Sequence, residues 1–392
     1  MRILLLAPHP FYRDRGTPIA VDLLIATLAA GGHRIDVLAY HEGQDRAYPN
    51  TRIHRIPALP FVHNVPAGLS LRKLLCDIPF LFKALRLARR GAYDVVHATE
   101  ESVFIALLLR RLRGLPYVYD MDSSLPQQVL ETAPALALLA PLMRAAERAV
   151  IRGAALVLPV CENLMGIARQ AGARRAVLLR DVSLLDAVPQ DAAPLPDLPA
   201  FEGVTFLYSG NLQKHQGIDL LLEAFAFARL RTPPIRLLVV GGPASLIRRH
   251  RRLAARRGIR DHVLFLGPLP LSRLQASFAA ADVVVSPRLK GQNTPMKIYT
   301  YLASGKPVLA TDIPGQTEVL NPDIAILAAP QPEAFADAMV EAALNPALRR
   351  DLADRAGRAA AAEYSLARYR QVLSDAYAEL AQELSEAGGH AR

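Results

Sequence analysis

The chain has 392 residues, 52% of them hydrophobic and 21% charged, which suits two domains of about 150–200 residues and excludes a mainly disordered state. Its net charge is +10, yet only six of the 46 basic residues are Lys; an Arg- and Ala-rich balance of this kind reads as genome composition, and no nucleic acid is expected. Two cysteines, Cys76 and Cys161, exclude a disulfide framework and lack metal-ligand spacing. No apolar run reaches the roughly 20 residues of a spanning helix, and Pro8 stops the short apolar start, so a cytoplasmic protein is expected.

Short apolar runs alternate with amphipathic helical stretches, the pattern of a parallel sheet covered by helices. In the first half the predicted strands are Arg2–Ala7, Arg34–Tyr40, Asp94–Ala98, Tyr117–Asp122, Ala155–Val160 and Ala176–Val182. Pro189, Pro194, Pro196 and Pro199 then interrupt the pattern, as a linker does. The alternation restarts at Thr205–Gly210, Ile235–Gly242, Val263–Gly267, Asp282–Arg288 and Pro307–Thr311. Residues 333–344, 347–362 and 366–386 are rich in helix formers. The expected fold is α/β, with two doubly wound, Rossmann-like domains facing a cleft. The expected boundaries are 1–185, a linker at 186–200, 201–363, and a C-terminal helix and tail at 364–392.

Doubly wound domains bind ligands beyond the carboxyl ends of their strands, so the loops there carry the candidate chemistry. In the first, Gly16 and Thr17 precede Pro18, with Thr17 placed as an N-cap and Pro18 as the first helical residue; such a helix start favours an anion. In the second half, Gly210-Asn211-Leu212-Gln213-Lys214-His215-Gln216-Gly217 is a glycine-bounded loop in which backbone amides and Lys214 can hold phosphate. It matches neither the dinucleotide fingerprint nor the P-loop pattern, which disfavours a dehydrogenase or P-loop NTPase. The richest stretch runs from Ser286 to Val308. There Asn293 or Thr294 can cap a helix beginning at Pro295, and Gly305 ends it. Lys297 falls in the first turn of that helix, where a cation opposes the helix dipole unless an anion occupies that end. Lys214, Lys290, Lys297 and Lys306 concentrate four of the six lysines in this region.

With these residues in view, the chain resembles glycosyltransferase family 4, retaining sugar transferases of the two-Rossmann-domain (GT-B) type. The resemblance rests on Gly16-Thr17, the Gly31-Gly32-His33 turn, Tyr93-Asp94-Val95-Val96-His97, Gly210 through Leu221, and Tyr301-Leu302-Ala303-Ser304-Gly305-Lys306-Pro307-Val308. It implies a nucleotide-sugar donor, such as a UDP-sugar, held by the C-terminal domain and a sugar or lipid-linked acceptor held by the N-terminal one. It also implies a last helix that returns to the first domain, no metal or other cofactor, and a role in cell-surface polysaccharide or glycolipid synthesis. On this resemblance Lys297, Arg288 and Asp122 are the catalytic candidates. Gly16, Thr17, Gly210, Asn211, Lys214, Lys290, Gln292, Asn293, Thr294, Pro295 and Thr300 face the donor, and His97 and Asp120 lie on the acceptor side. The chain departs from the family pattern at Gln292 and Thr300, which stand where many members carry glutamates. Asn211 and Gln216 replace the usual Arg and Lys, and Asp122 replaces a His.

Other readings compete. Asp120-Met121-Asp122 is a D-x-D triplet that can ligate a divalent metal in a different transferase architecture. A nucleotide-sugar epimerase shares the two-domain plan, and the missing glutamates fit a non-catalytic sugar-nucleotide-binding protein. The arginine run 248–252 has no interleaved aromatic residues to stack bases and reads as a solvated helix face. Residues 69–90 combine Leu, Ile and Phe with basic residues 72, 73, 83, 86, 89 and 90, a composition suited to peripheral contact with an anionic membrane surface, with Pro79 expected to kink or divide the helix.

Overall fold

Among the described residues, twelve parallel strands in two sheets carry the fold. The computed structural model describes all residues except 14–15, 66–69, 133, 188–194, 196–197 and 390–392. The chain divides into Met1–Arg180 with Tyr369–Arg392, and Asp181–Arg368.

In the first unit the strands are β1 (Arg2–Ala7), β2 (Arg34–Ala39), β3 (Thr51–Arg55), β4 (Val95–Thr99), β5 (Tyr117–Met121) and β6 (Leu156–Pro159), in the order β3-β2-β1-β4-β5-β6. The helices are α1 (Gly16–Ala30), α2 (Leu71–Arg90), α3 (Val103–Arg113), α4 (Leu125–Thr132), α5 (Ala140–Gly153) and α6 (Glu162–Ala171). β4 and β5 are buried along their whole length, which is why they read as continuous apolar runs. β3 escapes such a reading because it is a half-exposed edge strand, Thr-Arg-Ile-His-Arg. The expected strand 176–182 is not one: Ala176 bridges Val157 and Leu179 donates to the Pro159 carbonyl, leaving an irregular segment beside the edge strand β6.

In the second unit β7 (Val204–Ser209), β8 (Ile235–Val240), β9 (Val263–Gly267), β10 (Val283–Ser286), β11 (Val308–Thr311) and β12 (Ala325–Ala328) are ordered β12-β11-β10-β7-β8-β9. Counted from its own first strand, this is the strand order of the first unit. The helices are α7 (Ile218–Arg229), α8 (Ala244–Arg256), α9 (Leu274–Ala279), α10 (Lys297–Ala303), α11 (Pro314–Thr317), α12 (Pro332–Leu344) and α13 (Pro346–Glu363). α14 (Leu366–Gly389) follows, and from Tyr369 it belongs to the first unit. There the Tyr377 ring lies against His33 and His97, and Arg175 pairs with Glu379 and Glu383. Part of the expected linker, residues 188–194 and 196–197, lies outside the described residues; the division between units falls earlier, at Arg180 and Asp181.

Three local expectations need correction. α1 begins at Gly16, so Thr17 sits in its first turn rather than at the cap. α10 begins at Lys297, not Pro295: Met296 occupies the cap position, and the Ile298 amide donates to the Pro295 carbonyl. α2 runs unbroken through Pro79. Its buried residues Cys76, Phe80, Ala84 and Ala88 recur every fourth position, and Ser70 caps it by accepting from the Lys73 amide; packing along that stripe outweighs the one lost backbone bond.

Candidate active site

Each sheet reverses its strand order once, between β1 and β4 and between β7 and β10. The loops beyond these points flank a crevice by construction, and both units gather their polar side chains there.

In the second unit the loop after β7 meets the loop after β10. Gly217 adopts a φ of +74°, and a Cβ there would stand 1.7 Å from the Pro287 carbonyl oxygen, so only glycine allows the two loops to touch. The Leu289 amide then donates to the His215 carbonyl at 2.9 Å. The Tyr301 hydroxyl bonds both the amide and the carbonyl of Ser209, pinning α10 to the end of β7. This places the Lys297 ammonium where it donates to Gln216 Oε1 at 2.6 Å and to the Tyr208 hydroxyl at 3.2 Å, 4.4 Å from the Tyr208 ring centre. Burial, reinforced by the Arg288 charge, pushes the Lys297 amine down to about 7. Among the described residues no carboxylate pairs with it. The His215 imidazole is likewise held below its ordinary value by burial, Arg288 and Lys297.

Arg288 donates from Nε to the Lys290 carbonyl at 2.7 Å and from Nη1 to the Asn293 carbonyl at 3.1 Å. Gly291, at φ +130°, leaves room for that guanidinium, which a Cβ would meet at 2.1 Å. The arginine therefore shapes its own loop as well as charging it. Lys214, Lys290, Asn211 and Gln292 are exposed on the same two loops, and Asn211 Oδ1 accepts from the Gln213 amide. Pro295 is half-buried, and Thr294 is buried with its hydroxyl unpartnered among the described residues. Thr300 is elsewhere engaged: buried in α10, its hydroxyl accepts from the Leu184 amide at 3.0 Å. Sequence reasoning missed Tyr208 and Gln216 as partners of Lys297, since one reads as a strand residue and the other as a loop amide.

In the first unit Thr17 donates to Glu100 Oε1 at 3.1 Å, joining the loop after β1 to the loop after β4. Gly16, beside it, is exposed. Lys73, which the sequence placed on a lipid-facing surface, is instead buried, 3.1 Å from Glu100 and 2.6 Å from Glu101. Burial opposes ionisation of both glutamates. Lys73, His9 and the Thr17 hydroxyl nevertheless hold Glu100 below the carboxylate range, whereas Glu101 stays above it. Glu147, on α5, is raised by burial. None of Lys73, Glu100, Glu101 or Glu147 was anticipated, although Thr99-Glu100-Glu101-Ser102 directly follows a strand at the reversal point.

His97 and Asp120 are not brought to this group. His97 is fully buried beneath α14, its Nδ1 hydrogen-bonded to the Tyr377 hydroxyl at 2.6 Å and its Nε2 facing Asp120 at 3.4 Å. Strand alternation turns 97 away from the face that carries Val96 and Ala98. Asp122 lies half-buried just past β5. Among the described residues no group of three His, Cys, Asp or Glu side chains is arranged to hold a metal ion.

The two units are Rossmann-like domains of equal strand order, the plan of the GT-B fold, and the comparisons narrow what that plan carries here. Residues 15–180 match the glycosyl transferase 4-like domain model, and residues 203–345 match that of glycosyl transferases group 1. The phosphatidyl-myo-inositol mannosyltransferase of Mycobacterium tuberculosis is 25% identical over 82% of this chain and 80% of its own. A D-inositol 3-phosphate glycosyltransferase of Pseudarthrobacter chlorophenolicus is 29% identical over 78% and 76%. In fold, sucrose-phosphate synthase from Thermosynechococcus elongatus superposes with a TM-score of 0.78 at 22% identity, covering 97% of this chain and 99% of that one. Anabaena HepE in complex with UDP-glucose gives 0.70 at 18% identity, covering 97% and 100%. Both matched models are of glycosyltransferase domains, consistent with glycosyltransferase family 4, and the chain is a glycosyltransferase of the GT-B type.

Proposed function

We propose that this transferase moves a sugar from a nucleoside-diphosphate sugar to an acceptor hydroxyl with retention and without a metal ion, in glycolipid or cell-surface polysaccharide synthesis. The observation that carries the reading is Lys297: an enclosed amine beside a guanidinium, with no carboxylate partner among the described residues. Two neighbouring cationic groups repel unless an anion lies between them, and a diphosphate is such an anion. Lys297 and Arg288 neutralise it as the bond from the anomeric carbon to phosphate oxygen breaks, the electron pair leaving with the phosphate. The acceptor hydroxyl attacks from the same face, and its proton passes to the departing phosphate oxygen. Asp122 stabilises the cationic sugar or orients the acceptor. Gly210, Asn211, Lys214, Lys290, Gln292, Asn293, Thr294 and Pro295 line the donor side in this reading. Thr300, whose hydroxyl is occupied by Leu184, supports α10 instead. The Anabaena relative was solved with UDP-glucose, which makes UDP the first probe. A thermal-shift series with nucleoside diphosphates tests the reading: one of them raises the melting temperature of wild type by more than that of Lys297→Met. Equal response of the two proteins would refute it.

We further propose that α2 rests on an anionic membrane surface. No described helix is long and apolar enough to cross a membrane. α2 nevertheless exposes Leu71, Leu74, Leu75, Ile78 and Phe82 to solvent, with Arg72, Arg86, Arg89 and Arg90 also exposed. That pairing of apolar face and cations complements anionic lipid. Lys73 plays no part, being buried among carboxylates.

A further inference from the structure

The first unit holds a cleft, open to solvent, among Lys73, Glu100, Glu101, Tyr119, Ser123 and Glu147. Glu147 is 93% buried (7% exposed), and its Oε1 has no hydrogen-bond partner among the described residues. A buried carboxylate oxygen left without a donor is costly, and a ligand that donates to it recovers that cost. The other wall carries Glu100 and Glu101, and Lys73, the one cation lining the pocket among the described residues, is already committed to both. The charge therefore has the opposite sign to that around Lys297.

We propose that this pocket seats the ring of the acceptor, that the ring is a polyol bearing no phosphate or carboxylate of its own, and that Glu147 accepts its hydroxyls. The proposal rests on reading the chain as a transferase, and it narrows the acceptor class. The names of the inositol-phosphate relatives do not carry over in this respect: a phosphate placed here would face three carboxyl groups with no free cation. A lipid portion, where present, attaches to the ring away from the pocket.

Saturation-transfer NMR on the full chain with UDP present tests this. The probes are methyl α-mannoside, methyl α-glucoside and myo-inositol, set against mannose 6-phosphate, glucose 6-phosphate and inositol 1-phosphate. At least one neutral ring binds, more than tenfold more tightly than its phosphorylated counterpart. Glu147→Gln, which keeps the shape and removes the accepting charge, weakens it more than tenfold with UDP affinity unchanged. Glu101→Gln provides a second variant on the opposite wall, with the same expected direction. Phosphorylated rings binding as well as neutral ones, neutral binding indifferent to both substitutions, or no neutral ring binding at all would overturn the proposal. Failure of wild type to bind any nucleoside diphosphate would instead sink the transferase mechanism proposed above, so the two failures are distinguishable.

Discussion

Replacing Lys297 with Met separates what this side chain does for the fold from what it does for the ligand. Moving an amine from its ordinary 10.5 down to about 7 corresponds to roughly 5 kcal/mol against holding the proton in the empty site. The folded value lies below the unfolded one, so the unfolded chain binds the proton more firmly. The cost is full below about pH 7 and fades as pH rises toward 10.5. Met removes the amine that donates to Gln216 Oε1 and to the Tyr208 hydroxyl, leaving Gln216 Oε1 only the 3.3 Å bond from Tyr208, which offsets about 1–3 kcal/mol of the gain. At pH 6 the empty Lys297→Met protein should therefore be more stable than wild type by roughly 2–4 kcal/mol, with the gap shrinking as pH rises and reversing sign by about pH 10. UDP binding should move the other way. Loss of a charge-assisted bond weakens it by about 1.5–3 kcal/mol, roughly 10- to 150-fold. In wild type the bound anion drives the amine back to ammonium, so binding above pH 7 takes up a proton and weakens by up to about tenfold per pH unit. Calorimetric melting across pH 6–10 and titration calorimetry in buffers of differing ionisation enthalpy read both effects. A variant less stable than wild type at pH 6, with a gap flat in pH and unchanged UDP affinity, would refute the reasoning.

Asp122→Asn should lower the transfer rate at least a hundredfold with UDP affinity intact; a rate within threefold of wild type removes Asp122 from the chemistry. Chelator-treated enzyme should keep its rate, and a rate that collapses and returns with manganese would restore the D-x-D reading. Tyr377→Phe takes away the hydroxyl bonded to the buried His97 Nδ1, and should cost the first unit about 1–3 kcal/mol without changing UDP affinity. Arg72→Glu with Arg86→Glu should release the protein from anionic vesicles in a co-sedimentation assay. Equal recovery of wild type on neutral vesicles argues against α2 as a lipid-binding face.

The alternation of apolar runs with helical stretches made both sheets readable because most strands are buried on two faces, as Val283–Ser286 is throughout. Two of the four edge strands, Leu156–Pro159 and Val263–Gly267, were readable in the same way, whereas Thr51–Arg55, half-exposed and polar, and Ala325–Ala328 were not. Lys297 was legible for a different reason, since a cation at a helix start is unfavourable in the absence of a ligand. Its position survives the later start of α10, but the helix-start argument weakens, because α10 has seven residues and no side-chain cap. What now marks Lys297 is enclosure by Tyr208 and Gln216, which no periodicity in the chain announces.

Those partners follow from strand order. Tyr208 and Gln216 meet Lys297 because β10 lies beside β7, some 75 residues away in sequence, and Thr17 meets Glu100 because β4 lies beside β1. The two units share one order, so the same rule applies twice: the loop after the first strand of a unit faces the loop after its fourth. Applied to the sequence, it brings Gly16-Thr17 to Thr99-Glu100-Glu101-Ser102 in one unit and Gly210–Gly217 to Pro287–Lys297 in the other. The first pairing joins a hydroxyl to carboxylates and the second joins an amide and a phenol to a lysine. The opposite charges of these sites are thus written in four loops, and what the sequence alone withheld was which loops to read together.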